Sequence, residues 1–425
     1  MDVCARHSAV LGRDHKPTPD SIRQPKSMTV PKQSKFLLTT FALGHLSNDW
    51  PGGAIWLLAP AIAVSMNLTP AEVGTLITVQ YLGASLAYIP AGLISDRVSN
   101  RGRLLLMTFW WVAIGYVAAS FAPSFWLLAL MLAFAGIGDA AWHPIATGVL
   151  VQQMPTRRGQ ALGIHAMGGT LSAVLAPLVA GFLLGFMDWR SVLQLSALPA
   201  LIMGIVFIPV VKRVPLSPDH AMSLADVRHL VQVWSQRSGL GLIAMIIFYN
   251  MAILAIMSML PLFLITELDY SLAAAGTLFA LVMLIGSLIQ PLIGRLSDGA
   301  GRKRVFVTGV LLAAVAAGGA AAAENDLLII VILVLSLSSL VGIRSAVLAL
   351  TVEYAGRREA TTLGFVFALM DGVGALGALF AGLAGDFDLR YAFVLASVFC
   401  LVAAIIAVIT PFQVAQLRPH RAPTG

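Results

Sequence analysis

Twelve long apolar runs joined by short connections dominate this chain and leave it few folds. They read as helices at about 37–65, 72–94, 104–122, 125–152, 161–186, 190–211, 239–266, 272–295, 305–322, 327–352, 361–384 and 389–411. Each reaches or approaches the roughly 20 residues that cross a bilayer core. Inside hydrocarbon every backbone N–H and C=O needs a protein partner, which a helix supplies from its own turns. A closed barrel would show short segments of alternating polarity instead. Composition agrees, with 58% of the 425 residues apolar and only 11% charged, against roughly 25% charged in soluble domains. So few charges cannot cover a soluble surface of this size. The expected fold class is all-α integral membrane, with twelve transmembrane helices.

The connections alternate in charge. One set comprises the N-terminal tail, 95–103, 153–160, 212–238, 296–304, 353–360 and the C-terminal tail, and it holds 23 of the 27 Lys and Arg. The other set keeps only Arg190 and Arg390, beside Asp188, Glu267, Asp269, Glu324, Asp326, Asp386 and Asp388. The positive-inside rule then puts both termini in the cytoplasm. The net charge of +7 reflects this topology, and no nucleic-acid partner is expected. Residues 1–35 lack the apolar core of a cleavable leader and read as a cytoplasmic polar tail. The longest internal connection, 212–238, divides 36–211 from 239–411, six spans on each side, and 412–425 form a second cytoplasmic tail. Its stretch 223–236 has the pattern of a short interfacial helix behind Ser223 as N-cap, or of a solvated linker. Two cysteines, Cys4 in the tail and Cys400 in an apolar run, are too far apart in setting to form a disulfide.

The halves repeat. Sliding the sequence by 202 positions lays 74–96 on 276–298 with nine of 23 positions identical, and lays Asn48 on Asn250. Near a shift of 200, Asp188 and Arg190 fall on Asp388 and Arg390, and Arg157-Arg158 on Arg357-Arg358. Two halves of like topology imply a pseudo-two-fold along the membrane normal, with a substrate site between them near the midplane.

The second-half run from Gly294 through Asp298, Gly301, Arg302, Lys303 and Arg304 resembles the helix 8–9 copy of the major facilitator superfamily signature. Its first-half counterpart, Gly92, Asp96 and Arg97, continues less regularly to Arg101 and Arg103. Glycine there permits close helix approach. The aspartate can pair with loop arginines and cap a neighbouring helix, forming a gate. Span 5 carries Gly163, Ser172, Ala176, Pro177 and Gly181, which resembles the superfamily's antiporter motif with small residues replacing some glycines. His45, Asn48 and Asp49 in span 1, with Gly136, Gly138, His143 and Pro144 in span 4, resemble the fosmidomycin-resistance efflux branch. The arginine that many superfamily exporters carry in span 4 is absent, and Asp139 and His143 are the polar groups there. These resemblances imply the major facilitator fold, two pseudo-symmetric six-helix halves, in a bacterial inner membrane.

Ionisable side chains at bilayer depth cost about 2.5–3.5 kcal/mol or more and usually face a cavity or a partner. His45 and Asp49 share one face of span 1, and Pro51-Gly52-Gly53 should break or kink that helix next to them. Asp139 and His143 repeat the four-residue spacing in span 4. His165 opens span 5, Arg344 sits in span 10 and Asp371 in span 11. Three roles are open to these groups. Asp49 with His45, or Asp139 with His143, would couple protons. Arg344 would bind an anionic group or Asp371 a cationic one. Alternatively Arg344 and Asp371 neutralise each other and the histidines bond backbone carbonyls. Asn48, Asn250, Gln80, Tyr81, Trp142 and Tyr249 are uncharged candidates.

Two His and two Asp are metal-ligand types on separate helices, but no metal is expected. No phosphate-binding glycine loop or nucleophile triad stands out, so neither an enzyme nor a nucleotide cofactor is expected, and the proton gradient is the energy source. The function expected is proton-coupled export of a small organic compound or drug by a monomeric carrier. The alternative is proton-coupled uptake of a small organic anion through Arg344, and a non-transporting sensor is a distant third.

Overall fold

The computed structural model describes residues 32–154, 157–216, 231–355 and 359–412. The tail before residue 32, Ser223 with most of its loop, and the tail after residue 412 lie outside the described residues. Twelve helical rods follow the twelve apolar runs. They are α1 (Lys32–Met66), α2 (Pro70–Arg97), α3 (Arg101–Ser120), α4 (Phe125–Gln153), α5 (Arg158–Leu183) and α6 (Trp189–Arg213) in the first half. The second half holds α7 (Arg237–Thr266), α8 (Leu272–Ala300), α9 (Arg302–Ala322), α10 (Asp326–Ala355), α11 (Glu359–Asp371 and Leu376–Gly385) and α12 (Arg390–Ile409). All but α1 are apolar enough along an 18-residue stretch to cross a membrane. In α1, 35 residues long, polar residues in mid-helix interrupt the run. Large apolar side chains such as Leu86, Val315 and Ile409 stand exposed on the outside of the bundle, as a lipid-facing surface requires.

Local chemistry sets the ends, and it repeats between halves. Asn67 and Asp269, 202 positions apart, both adopt φ 53° and end α1 and α7 in the left-handed region that Asn and Asp tolerate. Thr69 caps α2 in a reciprocal box with Glu72, and Ser271 caps α8 by accepting from the Ala274 N–H. Gly301, at φ 96°, makes the sharp link between α8 and α9 that a Cβ would strain. Asp188 caps α6. The Ser191 and Arg190 N–H groups and the Ser191 hydroxyl donate to its carboxylate and hold it below the usual carboxylate range.

Arg190 reaches back to the end of α3 and donates to the carbonyls of Ser120 (2.6 Å) and Ala122 (2.9 Å). Its repeat mate Arg390 donates to Ala321 and Ala323 beyond the same point of α9. The two arginines on the acidic end of the bundle therefore satisfy helix C-terminal carbonyls.

The expected break at Pro51-Gly52-Gly53 does not occur, since α1 is continuous through it. Neighbouring helices support the backbone there: a Cβ on Gly53 would lie 3.1 Å from Ala176 and 3.3 Å from the Ser172 carbonyl of α5, and packed neighbours let a membrane helix tolerate proline. The break falls in α11 instead. Helix stops at Asp371, a 3₁₀ turn spans Val373–Ala375, and helix resumes at Leu376. Asn250 donates its amide to the Met370 carbonyl at 2.6 Å, taking up a group the break would orphan. A smaller interruption in α6, at Ala197, precedes Pro199.

The halves meet along α2 against α11 and α5 against α8. Among the described residues three hydrogen bonds join them: Ala71 N–H to Asp386, Thr78 hydroxyl to the Ala375 carbonyl, and Tyr88 hydroxyl to Asp371. These run from the acidic end to mid-bundle. No hydrogen bond between the halves is seen among the described residues beyond these three, and the Glu359–Asp371 part of α11 also packs on α2 and α4.

Candidate functional site

Four of the expected residues converge in the first half. His45 and Asp49, a turn apart on α1, make a contact of 3.1 Å between Nε2 and Oδ2. His143 of α4 places Nε2 at 3.8 Å from the other Asp49 oxygen. His165 of α5 stacks on the His45 ring at 4.3 Å between centroids. The His45 Nδ1 lies 2.9 Å from the His165 carbonyl. A carbonyl only accepts, so Nδ1 carries the hydrogen. Nε2 then faces a carboxylate oxygen at 3.1 Å, a contact that closes as a hydrogen bond when this pair takes up a proton. The same three donor atoms, from His45, Asp49 and His143, lie within 4.8 Å of one another, a spread that admits a cation, of which the proton is the smallest.

The pairing differs from that read in the sequence in one respect. Asp139 does not pair with His143. Because α1 and α4 run antiparallel, His45 lies level with His143 and Asn48 with Asp139, and the Asn48 amide donates to the Asp139 carboxylate at 2.7 Å and to its backbone carbonyl at 3.1 Å. Sequence spacing cannot register two separate helices. Gly168 and Gly169, which the sequence reading passed over, make room for His45: a Cβ on Gly169 would lie 2.6 Å from Nε2. A glycine pair beside a histidine in a span was the available signal. Trp142 is fully buried among Phe41, Phe109 and Phe207, a packing role. Gln80 donates to the Tyr116 hydroxyl, and Tyr81 packs on Trp56.

The facing wall comes from the second half. Asp371 sits at the break in α11 and accepts from the Tyr88 hydroxyl of α2 at 2.5 Å. The Tyr88 ring stacks 6.1 Å from His143 and lies 5.9 Å from Phe367, so it bridges the two walls. The Arg344 guanidinium lies 6.0 Å from the Phe367 ring. Arg344 and Asp371 were expected to neutralise each other if structural, but among the described residues Arg344 forms no ion pair with a carboxylate. Arg344 also occupies the repeat position of His143, at a shift of 201. One lumenal position is thus a titratable base in one half and a permanent cation in the other. Asn250 and Tyr249 serve the frame: the Tyr249 hydroxyl donates to the Leu340 carbonyl.

The loop signatures form in both halves, with partners the spacing did not single out. In the first, Arg101, not Arg97 or Arg103, holds Asp96 at 3.3 Å, and it also donates to Gln152 and the Ser95 carbonyl; Arg97 and Arg103 are exposed. In the second, Arg302 pairs with Asp298 and with Glu353 at 3.0 Å, and donates to Ser297. Gln152 and Glu353 are repeat mates. Gly92 and Gly294 face Pro144 and Ser345 of α4 and α10, at ordinary contact distance for a Cβ. The span 5 motif divides by neighbour. Ser172 and Ala176 pack on α1, whereas Pro177 and Gly181 meet Gly276 of α8; Gly163 is exposed.

Ionisable and polar side chains contributed by both halves and brought together inside a helical membrane bundle are the arrangement of a membrane transporter. The sequence matches the Major Facilitator Superfamily over residues 41–374, with a second match over 242–424, and the chain belongs to that superfamily. A metabolite transport protein of Haemophilus influenzae is 27% identical over 278 residues, 63% of this chain and 68% of that one. The niacin transporter NiaP of Acinetobacter baylyi is 24% identical over 233 residues, 54% of this chain and about half, 52%, of its relative. The same fold occurs in a bacterial homolog of the human lysosomal transporter Spinster, in an inward-facing, unoccupied conformation. It has a TM-score of 0.78 and 19% identity, over 89% of this chain and 97% of that one. The nucleoside transporter NupG has a TM-score of 0.71 and 14% identity, over 88% and 98%.

Proposed function

We propose that this chain imports a small organic anion together with a proton across a bacterial inner membrane, by alternating access. The observation that carries the reading is the contact of His45 and His143 with Asp49 in one half, together with an arginine in the other, Arg344, that forms no ion pair among the described residues. An unpaired guanidinium in a lumen suits carboxylate or phosphate. The niacin transporter is a relative whose named substrate is itself a carboxylate at neutral pH. Export was the expectation and import of an anion the alternative; the charges argue for the alternative. A negative-inside potential expels an anion with about 2.3 kcal/mol per 100 mV, so an anion exporter needs no proton site, whereas an importer does. With the basic end in the cytoplasm, hydrogen bonds between the halves that run from the acidic end to mid-bundle support an inward-facing reading. The Tyr88–Asp371 bond and the α5–α8 contact would part as the halves rock.

The test uses purified protein in liposomes, an imposed pH gradient and a panel of organic anions including nicotinate and benzoate. Import with a proton predicts that at least one anion accumulates on the alkaline side and that adding it drives protons the same way. Asp49→Asn should abolish both while leaving anion exchange without a gradient. Arg344→Gln should abolish the response to anions. Protons moving opposite to the anion would establish exchange and sink the import reading.

A further inference from the structure

Outside the transport lumen, the second half carries an apolar groove of about 630 Å³ on its lipid-facing side, between α8, α9 and α10. Its walls include Ile289 and Ile293 of α8, Leu312 of α9 and Leu335 of α10, and Arg304 stands at its basic end. Along α8 the lining runs from Ile285 to Ala300, about 22 Å at 1.5 Å per residue. That length exceeds one leaflet of a hydrocarbon core about 30 Å thick, so an acyl chain fits along it.

The repeat shows how the first half fills the equivalent space. At a shift of 201, Leu312 falls on Trp111, Leu335 on Phe134 and Ser339 on Gly138. In the first half Trp111 donates to the Phe134 carbonyl at 2.7 Å, stacks on the Phe134 ring and lies against Gly138. One indole fills the space that Leu312 leaves open. The charge at the mouth is equally unassigned. Arg302 is committed to Asp298 and Glu353, and Lys303 donates to the carbonyls of Val408 and Thr410 at the end of α12. Arg304 is exposed and forms no ion pair among the described residues.

We infer that this groove holds one acyl chain of an anionic phospholipid from the leaflet at the basic end, with the headgroup phosphate on Arg304. Zwitterionic lipid enters the groove less well, because its headgroup carries a cation of its own toward the arginine. A single basic residue near a membrane surface favours anionic lipid about fivefold. The experiment is native mass spectrometry of the full-length protein in detergent, titrated with dioleoyl phosphatidylglycerol or dioleoyl phosphatidylcholine. Wild type should retain phosphatidylglycerol about fivefold better. Leu312→Trp, the first half's own solution to the same space, should lose retention of both lipids while remaining monodisperse. Val331→Phe on the opposite wall should do likewise, so the conclusion does not hang on one variant. Arg304→Gln should keep chain binding and lose the preference. The inference is overturned if Leu312→Trp and Val331→Phe retain phosphatidylglycerol like wild type, or if Arg304→Gln leaves the preference intact.

Discussion

Gly276→Ala gives the sharpest reading of how the two halves move. Gly276 of α8 faces α5 at the acidic end, where a Cβ would stand 2.9 Å from the Pro177 carbonyl oxygen and 3.1 Å from Gly181 Cα. Both neighbours are backbone, so neither can rotate away, and the helices must part by a few tenths of an ångström. Overpacking of this kind costs about 1–3 kcal/mol. Alanine also favours helix over glycine, by up to about 1 kcal/mol, but it does so in both states of the carrier. The wedge acts only where α5 and α8 touch, so the population should move about 5- to 150-fold toward the state open at the acidic end. Spin labels on Phe186→Cys and Phe387→Cys, exposed at the acidic end of opposite halves, would report it in a Cys4→Ser background, Cys400 being buried. The variant should add a longer-distance population that wild type lacks, with melting temperature unchanged or raised. An unchanged distance distribution with a lowered melting temperature would refute the reasoning, because the contact would then be permanent.

Tyr88→Phe removes a hydrogen bond to a carboxyl group, worth about 1.5–3 kcal/mol, and should shift the same label distances in the same direction. Gly169→Ala places a methyl 2.6 Å from His45 Nε2. It should uncouple proton flux from anion flux without altering the circular dichroism spectrum, and coupled flux at the wild-type rate would show that the His45–Asp49 contact is dispensable. Arg190→Met leaves two helix-end carbonyls without their cation and should lower the melting temperature in detergent. Arg390→Met should do the same by a comparable amount, since the two arginines hold repeat-equivalent carbonyls.

The fold was legible because its signal is one-dimensional. Length, polarity and loop charge are properties of a run of residues, and the repeat adds a ruler: Asn67 with Asp269, and Arg190 with Arg390, take matching places in three dimensions. The lumen was half legible. His45 with Asp49 could be read from their spacing on one helix, but His143 with Asp49 and Tyr88 with Asp371 depend on how separate helices register. The same limit explains why Arg101, not Arg97 or Arg103, holds Asp96: all three lie within a few residues, and only the turn into α3 decides which points inward. Backbone breaks were misplaced for a related reason. Pro51 is the stronger local breaker, yet its helix is held by packed neighbours, whereas Asp371-Gly372 gives way where Asn250 waits to accept the consequences.

Two copies of one lumenal position, His143 and Arg344, carry a switchable and a fixed charge. On the import reading, the loaded carrier has gained one proton on the histidine–aspartate side and one negative charge on the arginine side. The loaded and empty lumens then bear equal net charge. The transport cycle becomes electroneutral, and the membrane voltage does no net work over it. Only the difference in acidity across the membrane would set how far the substrate is concentrated, so changing the clamped voltage should leave the accumulation ratio untouched while a collapsed pH gradient stops accumulation.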